Sequence, residues 1–202
     1  IILGWHRGGG MLLQELNKQL TPGSSVLIFH DPDLSKGPSH EDFNTFEQIN
    51  VSVQTGKTIS RSELERLDLS LITKIIVLSY RDSLPIQEAD SMTLLTLVHI
   101  RDLCEITQKR IGIATEMLDA KNRELASQKS EDDFIASEEL VSKVLVQLSE
   151  NSQLAKVLDE LLTSDGSELY LRPAAHYVEL GAEVPFGAIV AAGLSRKELA
   201  IG

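Results

Sequence analysis

Two periods run through the chain. Short runs over 1–3, 25–30, 51–54, 74–79, 110–115 and 133–136 read as strands, the apolar ones fitting burial on both faces. Between them, apolar residues recur three and four apart. Leu12, Leu13, Leu16 and Leu20 form one stripe of a helix over 9–20, and a long helix is predicted over 89–108. Shorter helices are predicted over 40–48 and 62–67, the second with Ser60 or Ser62 as its N-cap. Strands alternating with helices at this spacing predict a Rossmann-like α/β fold, a doubly wound parallel sheet over 1–136.

After Ala136 the pattern changes. Ser137-Glu138-Glu139 caps a helix carrying Leu140, Val141, Val144, Leu145 and Leu148 on one stripe; Glu150-Asn151-Ser152 interrupts it. A second stripe follows with Leu154, Val157, Leu158 and Leu161, and Ser164-Asp165-Gly166 stops that helix. The stretch 137–166 therefore reads as a helix-turn-helix crossover, whose stripes must be covered by the sheet domain or by another subunit. The tail, 167–202, reads as a small α+β lobe, with strands at 169–171, 177–180 and 199–201 and a helix over 186–194.

Charge and composition remove whole classes of function. With a net charge of −11 the chain lacks the basic face that neutralises nucleic-acid phosphates. A single cysteine, Cys104 in an apolar helical stretch, excludes a disulfide framework and a cysteine zinc site; it reads as a buried, inert thiol. No apolar run approaches the roughly 20 residues of a spanning helix, and no signal peptide is visible. Beginning inside a strand without Met, and ending on LAIG, the sequence reads as an excised soluble piece of a longer protein.

Chemistry concentrates at two places. The turn after the first strand carries Gly4, Gly8 and Gly9, with Arg7 placed to meet a phosphate. Asp31, 27 residues after Gly4, ends the second strand where a dinucleotide ribose bonds a carboxylate. The pattern is G-x-x-x-G-G-G, not G-x-G-x-x-G, and Trp5, His6 and Arg7 occupy its middle. Two readings stand: a nucleotide or NAD site, or a turn kept for packing. The second place is the carboxyl edge after strands four and five. Asp82, Glu88, Asp90, Glu116 and Asp119 there either supply oxygen ligands to Ca²⁺ or form a solvated acidic rim. Glu131-Asp132-Asp133 reads as a surface run. Thr55-Gly56-Lys57-Thr58 imitates the end of a P-loop, but Val51 stands where its first glycine would be, so it reads as a turn. His6, His30, His40, His99 and His176 have no partner at metal-ligand spacing on a helix face. No nucleophile elbow and no catalytic base is nominated.

Several stretches resemble the Castor/Pollux family of ion channels: GWHRGG at the first turn, SEELVSKVLVQLSEN, KVLDELLTSDGSELYLRP and the terminal SRKELAIG. Glu116-Met117-Leu118-Asp119 with Asn122-Arg123 is similar to the family's segment after strand five. The resemblance implies a cytosolic RCK (regulator of K⁺ conductance, TrkA-like) domain, within the family most similar to the more C-terminal of each subunit's two. It implies Ca²⁺ regulation, homo-oligomeric assembly of dimers into a gating ring, and an upstream membrane pore in the parent chain. The expected function is then a ligand-sensing regulatory domain of a cation or potassium channel, not an enzyme. Ca²⁺, an adenine nucleotide or NAD, or no ligand at all remain open as cofactors. The alternatives are a fragment of an NAD(P)-dependent oxidoreductase and a ligand-free assembly scaffold.

Overall fold

A computed structural model describes residues 1–39, 43, 46–108, 110–122, 133–163 and 169–201. The helix expected over 40–48, His40, Arg123, Glu131, Asp132 and the stop at Ser164-Asp165-Gly166 lie wholly or largely outside them. The chain forms two compact units, Ile1–Ala155 and Lys156–Gly202.

The first unit is a six-stranded parallel sheet. Its strands are β1 (Ile2–Leu3), β2 (Ser24–His30), β3 (Ile49–Thr55), β4 (Lys74–Val77), β5 (Gly112–Met117) and β6 (Asp133–Ala136), in the order β3-β2-β1-β4-β5-β6. The crossover helices are α1 (Gly9–Gln19), α2 (Arg61–Leu64) and α3 (Ile86–Ile106). α3 begins three residues earlier than its apolar stripe suggests because Pro85 takes its N-cap, where a missing N–H costs nothing.

Alternation along each strand divides the core in two. Leu3, Phe29, Ile75, Val77 and Ile113 pack with Leu64, Leu97 and Ile100 on the side of α2 and α3. Ile2, Val26, Ile28 and Ile49 pack with Leu13 of α1 on the other, where Trp5 and Leu78 join them. Both faces of a strand only two residues long are thus fully buried, which is why β1 can sit at the sheet's centre. Cys104 is partly buried against the α3 side of the core.

Helix α4 (Ser137–Glu150) follows β6 directly. Its N-cap is Ala136, with no side-chain cap, and Glu138 and Glu139 in the first turn complement the helix dipole instead. α5 (Leu154–Leu162) comes next, with the division between the units at 155/156. In the second unit a 3-10 turn, Ala174–His176, precedes α6 (Phe186–Ser195). The tail strands expected at 169–171, 177–180 and 199–201 are a correction: none of these segments pairs with another strand among the described residues. Their apolar side chains, Leu171, Leu199 and Ile201, are exposed. An extended apolar run becomes a strand only when a neighbouring strand takes its backbone groups.

Candidate functional site

Strand order reverses between β1 and β4, so their carboxyl ends open the crevice where doubly wound sheets bind ligands. Gly4 sits there with φ +85°, and its N–H donates to the Phe29 carbonyl at 2.9 Å. A Cβ on Gly4 would lie 2.3 Å from the Leu78 carbonyl oxygen. Both backbone sign and space therefore demand glycine, as expected of a strand-to-helix turn in this position.

The next residues fill the turn from within. The Trp5 indole is buried against the start of α1, 2.6 Å from where a Cβ on Gly9 would stand. Gly9 thus makes room for an indole. The His6 ring lies over Gly8, whose N–H donates to His6 Nδ1 at 2.9 Å. With Nδ1 accepting, the ring carries its proton on Nε2, which donates to Glu116 Oε2 at 3.0 Å. The Arg7 N–H donates to Asp82 Oδ2 at 2.8 Å, and the exposed Arg7 guanidinium stands 3.4 Å from the same carboxylate. Of the backbone donors at this turn, the Arg7 and Gly8 N–H groups go to side chains and the Gly9 N–H to the His6 carbonyl, while α1 has no side-chain N-cap.

Glu116 is the hub. From the end of β5 it accepts from His6, from the Ser79 N–H at 3.2 Å and from Arg81 at 2.8 Å. Burial pushes its carboxyl up. The hydrogen bonds from His6 and Ser79 and the Arg81 charge outweigh that, and hold it below the usual carboxylate value. β1, β4 and β5 are tied together at their carboxyl ends by this one side chain.

Asp31 is buried, but toward a turn: its Oδ1 accepts from the Asp33 N–H at 2.9 Å, and its own N–H donates to the Tyr80 hydroxyl at 2.9 Å. Thr58 meets the same hydroxyl at 3.3 Å. Tyr80 lies between Gly4 and Asp31, with its Cζ 3.7 Å from a Gly4 Cβ, and burial raises its phenol above the ordinary value. The nucleotide candidates Gly4, Arg7, Gly8, Gly9 and Asp31 therefore do lie around one crevice, but Trp5, His6, Tyr80 and Asp82 stand among them.

The five carboxylates do not converge. Asp82 is on the Arg7 amide and Glu116 on His6. Asp90, fully buried on α3, accepts from the Leu118 and Asp119 N–H groups and from Asn122, each near 2.9 Å, and so fixes the turn after β5. Asp119 accepts from the Lys121 N–H and from Gln87. Glu88 is exposed in the first turn of α3, where a negative charge suits the helix dipole. Among the described residues no group of three or more His, Cys, Asp or Glu is arranged to hold a metal ion.

The P-loop imitation is a turn: the Gly56 N–H donates to the His30 carbonyl and the Lys57 N–H to Glu63, while Thr58 is buried on Tyr80. Sequence reasoning missed His6, Tyr80 and Arg81 as structural partners. The signal for His6 was present in its bulk between Gly4 and Gly8; Tyr80 and Arg81 carry none, because their partners are 22 to 49 residues away.

On α4 the stripe residues Leu140 and Leu145 are more than half exposed, at 54% and 61%, while Val144 and Leu148 are half-buried. On α5 Val157 is 51% exposed, and Leu154, Leu158 and Leu161 are half-buried. Neither helix has a fully buried residue. In the second unit the terminal motif closes on itself: Tyr177 donates to Glu198, which raises its phenol, and Arg196 lies over the Tyr177 ring at 5.2 Å. No described helix is long and apolar enough to cross a membrane.

No family model matches the chain. The probable ion channel CASTOR of Oryza sativa subsp. japonica is 30% identical over 239 residues, covering all of this chain and 26% of that protein. The ion channel DMI1 of Medicago truncatula is 29% identical, again over the whole chain and 27% of its own length. The probable ion channel POLLUX of Arabidopsis thaliana is 28% identical over all of the chain and 29% of its own length. The chain spans about a quarter of the length of the curated relatives it matches, and these are named as ion channels, not as enzymes. Among solved structures the human SLO3 gating ring has a TM-score of 0.48 at 8% identity, covering 66% of this chain and 23% of that one.

Proposed function

Because the chain is homologous over its whole length to one segment of the Castor and Pollux ion channels, we propose that it is a cytosolic-side regulatory domain of a cation channel. In this reading it is a gating-ring lobe that couples assembly to the pore, and its dinucleotide-like turn is closed by its own residues. One observation supports this above the others. The Trp5 indole lies on Gly9 while the Gly8 and Arg7 amides are taken by His6 and Asp82, so the chain's own side chains fill the turn and hold two of the donors that would face a pyrophosphate. The exposed stripe residues Leu140, Leu145 and Val157 of α4 and α5 support subunit contact there.

Ca²⁺ sensing is the second reading. Glu116 and Asp82 stand at the same sheet edge and now neutralise Arg81 and Arg7, so an entering cation would exchange with those side chains. Thermal melting of the chain against Ca²⁺, Mg²⁺, NAD(H) and ATP separates the readings. A ligand present at a hundred times its Kd adds about 2.7 kcal/mol. The closed-turn reading expects no stabilisation by any nucleotide. A nucleotide-specific rise removed by Gly8→Ala overturns it; a Ca²⁺-specific rise removed by Asp82→Asn or Glu116→Gln establishes the calcium sensor in its place.

A further inference from the structure

β3 is an edge strand: it pairs with β2 along seven residues, and among the described residues no strand pairs with its other side. Which backbone groups are left over follows from its flanks. The Gln48 carbonyl accepts from the Gly23 N–H, and the Gly56 N–H donates to the His30 carbonyl, so even-numbered residues direct their backbone groups at β2. The odd ones, Ile49, Val51, Val53 and Thr55, direct N–H and C=O away from the sheet. Proteins guard such edges with charged residues, proline or bulges. This strand, INVSVQT, has none of them, and Val53 is 40% exposed.

Charge selects the occupant. The chain carries −11, so contact between copies is opposed over most of its surface, yet 48–62 contains no Asp or Glu. Two identical strands can meet antiparallel about a twofold axis at Ser52. Val51 then stands opposite Val53 of the second copy, and Ile49 opposite its Thr55, so all four outward residues pair and no like charges face each other. On the same face a recess of about 710 Å³, lined in part by Val51, Val53, Thr55 and His30, continues the edge. His30 is buried there with Nδ1 unpartnered.

We infer that β3 is a self-recognition edge, at which a second copy of this chain adds antiparallel to make one sheet continuous through two subunits. This contact is independent of the α4 and α5 stripes. A pairing confined to one edge falls below the roughly 1,600 Å² of a standard interface, so it is a weak one, made effective where copies are held together.

The test is sedimentation velocity of the chain carrying Leu145→Asp and Leu158→Asp, which removes association through the helix pair. A weak dimer should persist at high concentration. Val53→Pro, which deletes an outward N–H at an edge position that tolerates proline, should weaken it about tenfold or more. Val51→Lys, which brings like charges together across the axis, should do the same and serves if the proline variant melts early. Amide exchange at Val51, Val53 and Thr55 should slow as concentration rises. The inference is overturned if the helix-pair variant is monomeric at every concentration, if neither β3 variant changes the dimer constant, or if those amides are protected equally at all concentrations.

Discussion

The β1–α1 turn and the helix pair after β6 make opposite use of their residues. At the turn each candidate nucleotide residue has a partner inside the chain: Gly4 has the Phe29 carbonyl, Arg7 has Asp82, Gly8 and Gly9 have His6, and Asp31 has Asp33 and Tyr80. On α4 and α5 the apolar stripes, which carry no chemistry at all, include half-exposed leucines and valines. The candidate residues of the stronger motif are engaged within the chain, while the region with only an amphipathic pattern carries exposed apolar side chains. A glycine-rich turn shows where the backbone must bend; whether it binds depends on what else has been placed in the bend.

The largest expected effect that would break this comparison is at Gly4. Gly4→Ala must take φ +85° and place a Cβ 2.3 Å from a backbone carbonyl, and should cost about 4 kcal/mol or more, read as loss of folded protein in urea. An alanine variant of near-normal stability would show that the turn is loose enough to open to a ligand.

Glu116→Gln comes next, at about 1–3 kcal/mol, since it leaves Arg81 without its charged partner and weakens the tie to His6. Its pH signature is specific. A carboxyl held low in the fold contributes stability above its unfolded value of about 4.3, and that contribution drains as pH falls through the lower folded value. Urea titrations at several pH values should therefore show the wild type and Glu116→Gln converging in stability as the solution is acidified below that window. Parallel curves would mean that the carboxylate is not held by these partners.

Smallest on stability, and most informative on the other side of the comparison, are Leu145→Asp and Leu158→Asp. Each should change the melting of the isolated subunit by about 0.5 kcal/mol or less, because its site is half-exposed to exposed. Together they should abolish the main association seen by ultracentrifugation. Association that survives both intact, and is insensitive to β3 as well, would move the subunit contact elsewhere.

Much of the fold is legible in the amino-acid sequence. The central strands β1, β2, β4 and β5 fall where the apolar runs place them, because a strand buried on both faces leaves a signature that needs no knowledge of its neighbours; the edge strands β3 and β6 fall near their expected places although Val53 and Ile135 are exposed. Helix ends are less so: α3 starts at Ile86 on the strength of Pro85 rather than of its stripe. The tail strands are misread, since Leu171 and Ile201 look like strand residues and have no strand beside them among the described residues.

What the sequence determined by itself is local and periodic: the strand–helix alternation, the glycine turn at Gly4, the amphipathic stripes from Leu140 to Leu161, and the acidic net charge. Tertiary structure alone decided which groups meet. Glu116 reaches His6 across 110 residues and Tyr80 reaches Asp31 across 49, pairings set by strand order and register rather than by spacing. Side-chain periodicity encodes which face a residue presents. The partner on that face is fixed only when the sheet closes around β1, which is what brings His6 and Tyr80 to this turn.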